Sequence, residues 1–372
     1  MSSTSVRSTD RVQSFLAAVD IHEPTSLDHN EDLFRIFARH LSRSLDGRYL
    51  DRHPPAELIP AIEELLACAL FRENDEIKVQ VKLIEDGSST RGVLITTLPD
   101  QPFIVSVVRQ ALFWMSVRVL RSFQTVVEVR REATGRMSAV TTTDGQKEAM
   151  GWIEIEADNL NARASEIEEH IKQRLSFVTR SVADYPEMRT DIEACADRYR
   201  SLAESSHSDA SNLAANAEFL EWVLAEHFVI LGTRVLESDH VTTAKSLGTG
   251  HEHTGGGIPL EPDDESLLKK MPQAPHLWVR KSQMESWIYR AGHLDHVFAQ
   301  LFDESGKPNG VLLIEGLFSF QALAQARGQI PLLRHVLQHL ITELQAEEGT
   351  HRHRSIRKAF NSLPLEYLFA LS

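Results

Sequence analysis

The stretch Val93–Leu112, VLITTLPDQPFIVSVVRQAL, changes its hydrophobic period halfway along, and that change decides the fold class. Val93 to Leu98 is a short run of apolar and β-branched residues, which reads as a strand. Asp100, Gln101 and Pro102 interrupt it. A carboxylate at the cap and a proline in the first turn are how a helix opens. Ile104, Val107, Val108, Ala111 and Leu112 then recur at helical spacing. Upstream, Ile77, Val79, Val81 and Leu83 alternate with polar residues and predict a half-buried strand, with Asp86, Gly87 and Ser88 supplying a turn. Downstream, Arg118 to Arg131 reads as a long strand, turned at Thr134–Arg136 into Met137–Thr142. Trp152, Ile153 and Ile155 make another strand, and Ile167, Ile171, Leu175, Val178 and Val182 form one helical stripe. Strand, helix, strand, strand, helix is most of a ferredoxin-like unit. Its missing strand comes either from Val79 and its neighbours or from a second domain.

Working outward, the first 75 residues carry three amphipathic helical patterns, around Phe15, Phe37 and Leu65, behind a polar Met1–Asp10 tail expected to be disordered. Pro186 to Ser208 reads as a charged helix running into a Ser/His-rich linker. Ala214 to His227 resumes a helix. Strands are expected at Phe228–Leu236, Leu277–Tyr289, His293–Phe302 and Val311–Phe318, and a helix from Pro331 to Leu344. The fold class is therefore α+β: two ferredoxin-like units with antiparallel sheets, joined and preceded by helices. The expected boundaries are a helical segment at 1–75, a first α+β domain at 76–185, a helical linker at 186–227, a second α+β domain at 228–350 and a helical tail at 351–372.

Composition narrows the function. The chain has 372 residues, 39 Lys+Arg against 53 Asp+Glu, and a net charge of −14. A surface that acidic argues against nucleic acid, because phosphate binding needs positive charge. No run reaches the ~18 apolar residues of a membrane span. The N-terminus lacks the apolar region of a secretory signal. With only Cys68 and Cys195 there is no disulfide scaffold, and a reducing, cytoplasmic setting is the expectation.

No motif calls for a cofactor or a metal. Gly248-Thr-Gly250-His-Glu-His253 begins like a dinucleotide fingerprint but has His253 where the last glycine belongs, and no strand–turn–helix context surrounds it. His240, His251 and His253 lack the spacing and cysteine partners of a zinc site. His351 and His353 alternate with Arg352 and Arg354, and neighbouring cations disfavour a metal there. His293 and Asp295 share a strand face, where acid–base work or a plain polar pair are the two readings.

Several segments, in order, resemble the N-terminal, non-catalytic region of the large bacterial NAD-specific glutamate dehydrogenases. They are LPDQPFIV (98–105), GWIEIE (151–156), EFLEWVLAEHF (218–228) with LGTR (231–234), Tyr289-Arg290 with His293-Leu-Asp295, GLFS (316–319), QIPLLR (329–334) and LPLEYLF (363–369). The sequence departs from the family pattern at Ser106, Thr233, 283–286 and 353–355. The resemblance implies ACT-type domains, which are ferredoxin-like sensors. The family's catalysis needs a nucleotide-binding fold and a catalytic lysine, neither of which is recognisable here. A regulatory or assembly module is thus implied, without catalytic residues of its own.

The resemblance implies an amino-acid effector bound near the loop after the first ACT strand, which here is Pro99–Phe103. Asp100 pairs with a ligand ammonium or simply caps the helix, and Gln101 and Phe103 flank it. Backbone N–H groups at the helix start would take a carboxylate. In the second unit Arg290 and Asp295 are the analogous candidates, with a salt pair between strands as the alternative. The expected partners are such an effector and either a second copy of the chain or a dehydrogenase subunit, with no nucleic acid and no membrane. Two competing readings are a ligand-free scaffold that pairs sheet edges, for which Arg118–Arg131 offers an edge, and an independent enzyme using His251, His253 or His293.

Overall fold

The computed structural model describes residues 3–27, 30–45, 47–86, 89–156, 160–206, 209–237, 243–250, 266 and 275–369. The chain divides into two units, Met1–Ser176 and Phe177–Ser372.

The first unit opens with α1 (Ser3–Ile21), α2 (Glu31–Ser42), α3 (Gly47–Arg52) and α4 (Pro55–Ala69). The expected disordered tail is instead helical from Ser3. A helix anchored by Phe15 and Val19, both buried, needs no new nucleus to propagate toward its own N-terminus. The five strands β1 (Lys78–Asp86), β2 (Ser89–Pro99), β3 (Val119–Arg131), β4 (Met137–Thr141) and β5 (Gln146–Ile155) form an antiparallel sheet in the order β1-β2-β5-β3-β4. The strand around Val79 is the one that completes the unit: Val79 pairs with Thr96 on β2. One sheet face, with Val93, Ile95, Phe123, Val127, Met150 and Trp152, packs with α1, α2 and α4 in a single core. Trp152 stacks on Phe123 at 5.3 Å and donates its indole N–H to Glu64 at 2.9 Å. That hydrogen bond lets a large amphipathic ring be fully buried without an orphaned donor.

Helix α5 spans Ile104–Trp114, and α6 spans Leu160–Ser205 as one unbroken helix through Pro186. The sequence suggested a fresh helix at Pro186. A proline inside a helix removes one hydrogen bond, and here the flanking turns carry on regardless. Glu168 on α6 accepts the backbone N–H of Val81 at 2.6 Å, which plugs the outer edge of β1.

The second unit contains the remainder of α6, then α7 (Ala210–Trp222) and strands β6 (Phe228–Glu237), β7 (Thr243–Gly248), β8 (Leu277–Glu285), β9 (His293–Phe302) and β10 (Pro308–Phe318). Helices α8 (Phe320–Ala324), α9 (Pro331–Glu343), α10 (His351–Ser362) and α11 (Leu365–Phe369) follow. The sheet order is β7-β6-β10-β9-β8, again antiparallel. Both sheets place the last strand of their unit, β5 or β10, at the centre and a hairpin at each edge, but the chain runs through those hairpins in opposite order: β1 precedes β2 and β4 follows β3, whereas β7 follows β6 and β8 precedes β9. β7 was not anticipated, because Thr243–Gly248 is short and mostly polar. The strand from Leu277 stops at Glu285 rather than Tyr289: Tyr289 adopts φ 73°, which no strand accommodates. Gly248 closes β7 at φ 58°, and a Cβ there would sit 2.2 Å from the Leu231 carbonyl oxygen, so only glycine fits. The core joins one sheet face to α6, α7, α9, α10 and α11 through Ile192, Tyr199, Phe219, Val297, Ile314 and Leu333, among others.

Candidate functional site

The Pro99–Phe103 loop is set by the end of β2, whose Pro99 pairs with Glu148 and whose next residue, Asp100, donates its N–H to the Lys147 carbonyl at 2.9 Å. The helix does not start at Pro102 as the sequence suggested. Phe103 occupies the cap position at φ 71°, and α5 begins at Ile104. Asp100 therefore falls outside the cap. No side chain caps α5, and no acid lies in its first turn. Ser106 donates its hydroxyl to the Phe103 carbonyl at 2.8 Å. Asp100 is exposed, and Gln101 and Phe103 are half-buried. The loop thus carries an exposed carboxylate three residues ahead of the cap position of a helix that has no side-chain cap and no acid in its first turn.

In the second unit the structure brings Arg290 and Asp295 to one residue. Phe318 donates its N–H to Asp295 Oδ2 at 3.1 Å, and its carbonyl accepts from Arg290 Nη2 at 3.2 Å. Asp295 is buried and receives Lys281 Nζ on Oδ1 at 2.7 Å, from the adjacent strand position. Burial pushes the Asp295 carboxyl above its ordinary range, and Lys281, the Phe318 N–H and Arg290 only partly offset this. A small cavity of about 50 Å³ adjoins the pair, lined also by Arg280 and Glu366. His293 is exposed and meets the Gln283 carbonyl through Nδ1 at 3.0 Å rather than Asp295.

The sequence missed the charged groups that the sheets enclose. Glu148 is fully buried and held by Arg72 at 2.7 Å and Arg131 at 2.7 Å. Burial raises its carboxyl, but the bonds from Arg131 and Arg72 more than reverse this and hold it below the usual range. In the second unit Arg234 and Glu315 pair at 2.7 Å, with Thr249 donating to the other carboxylate oxygen at 3.3 Å. The signal was present: Arg234 and Glu315 are single opposite charges within two apolar runs that pair as neighbours, and a buried charge needs a partner.

The Gly-rich segment gives no phosphate cradle in its described part. The N–H of Gly248 donates to the Asp184 carboxylate at 2.8 Å, an acidic neighbour that repels an anion. His240, His251 and His253 lie outside the described residues. Among the described residues, no three metal-ligating side chains cluster, and no helix is long and apolar enough to cross a membrane. Trp278 is core, stacked on Phe298 at 4.8 Å.

Two helix-flanked antiparallel five-strand sheets make the protein a tandem of ACT-like ferredoxin units. Residues 37–171 match the sequence profile of the ACT1 domain of glutamate dehydrogenase. The chain is 22% identical over 298 residues to the NAD-specific glutamate dehydrogenase of Halomonas elongata, and 23% identical over 299 residues to that of Pseudomonas aeruginosa. Each match covers 76% of this chain and 18% of the relative, so the chain spans under a fifth of the length of these enzymes. These matches support the relationship read from the sequence, to the N-terminal region of the NAD-specific glutamate dehydrogenase family. Among solved structures, an RNA-binding light-oxygen-voltage receptor overlays with 10% identity and a TM-score of 0.19, covering 77% of this chain and 88% of its own, a likeness too slight to bear on fold or function.

Proposed function

We propose that this chain is a cytoplasmic regulatory module that senses an amino-acid effector in its first unit and acts on glutamate catabolism through an NAD-specific glutamate dehydrogenase or a subunit of one. The observation that carries the reading is the start of α5. Three features coincide there: a helix N-terminus without a side-chain cap, no acid in the first turn, and the exposed Asp100 carboxylate in the preceding loop. The helix end suits the effector's carboxylate and Asp100 suits its ammonium. Gln101 and Phe103 supply the polar and apolar walls. In the second unit Asp295 is already committed to Lys281 and the Phe318 N–H. Ligand binding there would have to displace the lysine, so the first unit is the preferred site and Arg290 and Asp295 rank behind it.

The experiment is a thermal-shift panel of the purified chain against the amino acids, 2-oxoglutarate, NAD and NADH. A ligand that binds only the folded state stabilises it by RT ln(1 + [L]/Kd), about 2.7 kcal/mol at a hundredfold excess. An amino-acid shift lost on Asp100→Ala supports the sensor; a panel with no shift overturns it.

A second reading, assembly through a sheet edge, is favoured by β3. β4 covers β3 only from Glu128 to Arg131. Among the described residues no strand lies beside Val119–Val127 on that side. His40 reaches the Val126 carbonyl at 3.0 Å, while Val119 and Leu120 stay exposed. A second copy of the chain is the partner such an edge would take.

A further inference from the structure

Helix α6 crosses the second sheet and leaves a groove of about 360 Å³ beneath it, within the range of small-molecule sites. Asp191, Ala194, Cys195 and Arg198 line it from the helix, at i, i+3, i+4 and i+7 of one stripe. Val235, Leu301 and Leu312 form an apolar floor. The two ends carry opposite charge. At one, Asp191 lines the groove and shares the single ammonium of Lys245, at 2.6 Å, with Glu187 one turn earlier on α6, at 2.8 Å, which leaves a net negative charge. At the other, Arg198 donates one nitrogen to the Asp303 carbonyl; its remaining donors have no partner among the described residues. Seven residues of helix separate the ends by roughly 10 Å. A carboxylate and an ammonium on the same carbon are too close together to reach both. Cys195 contributes only apolar surface, since burial pushes its thiol up to about 12.

We infer that this groove binds a linear ligand with a carboxylate at one end, a cation at the other and a methylene chain between, the chemistry of an ω-amino acid or a basic amino acid. The carboxylate pairs with Arg198, whose planar fork suits it. The chain lies on Val235, Leu301 and Leu312, and the cation joins Asp191 and Glu187. The site is independent of the Pro99–Phe103 loop and does not rest on the regulatory reading.

Calorimetric titration of the full chain with 6-aminohexanoate and lysine tests it, with hexanoate and hexylamine as single-ended controls. The expected result is saturable binding of the double-ended probes, at least tenfold tighter than either control. Arg198→Gln should bring 6-aminohexanoate down to the level of hexylamine. Ala194→Phe, at an exposed helix position facing the groove, should abolish binding while the melting temperature holds. Asp100→Asn should change nothing, which separates this site from the loop. Absence of binding by the native chain, a single-ended control that matches 6-aminohexanoate, or binding that survives Ala194→Phe would each overturn the inference.

Discussion

Arg234 and Glu315 pair across β6 and β10 at 2.7 Å, with both side chains buried and Glu315 fully so. Taking one partner away leaves the other as an uncompensated charge in a low-dielectric sheet. Glu315→Gln or Arg234→Met alone should cost roughly 3–5 kcal/mol, whereas Arg234→Met with Glu315→Leu should recover most of that loss. Urea unfolding of the two single variants and the double variant measures the coupling. Equal losses that simply add would show the pair to be energetically idle.

His296 sits beside that pair on β9, opposite Glu315, and is 1% exposed. Burial, with Arg234 adding to it, lowers its pKa to about 3. The folded protein therefore keeps His296 neutral while the unfolded chain protonates it near 6.5. Between those values acid favours unfolding, by about 1.4 kcal/mol for each pH unit below 6.5. Stability measured from pH 8 to 5 should fall on the acid side. His296→Gln should flatten that fall relative to the native chain, although the raised carboxyls of Asp295 and Glu315 pull the opposite way at lower pH.

The strands around Val93, Phe298 and Ile314 are legible because their apolar runs have no helical period, and the alternation of Val79 and Val81 gives β1 as a strand but leaves open its pairing with β2, which the structure supplies. The start of α5 was misread for a physical reason. Asp100 and Pro102 look like a cap and first turn, yet the chain spends Phe103 in the left-handed region before the helix begins. No local rule predicts a bulky residue there. β7 was hidden because a short polar edge strand is specified by its partner β6 rather than by its own pattern. The loop candidates are local in sequence and could be named. The partners of Asp295 and Glu315 depend on strand register, which a single sequence does not fix.

Val105 is exposed in the first turn of α5, where an acid is favourable to the helix dipole. Val105→Glu should raise stability by about 0.3–1 kcal/mol. It should also weaken any effector carboxylate seated at that helix end. The opposed signs make the test specific: a higher basal melting temperature with a smaller ligand-induced shift. If the ligand shift is unchanged, the effector's carboxylate does not sit at the α5 N-terminus.

Glu148 joins Arg72 and Arg131, and those arginines also hold the carbonyls of Glu73, Asn74, Glu76, Ala69 and Gly135. One buried carboxylate thus fixes the end of α4, the approach to β1 and the β3–β4 turn in register. Glu148→Gln should destabilise the first unit by roughly 3–5 kcal/mol, because two guanidinium groups lose their counter-charge. The acid limb should change as well. The lowered carboxyl of Glu148 binds its proton more readily when unfolded, so its stabilisation is complete above the unfolded pKa and is lost as pH falls through the folded one. Removing the group should therefore shrink the native chain's loss of stability below about pH 5. Hydrogen exchange on β3 and β4 supplies the local readout: faster exchange there, with the second unit unchanged, is the expected pattern, and uniform exchange throughout would show the knot to be dispensable.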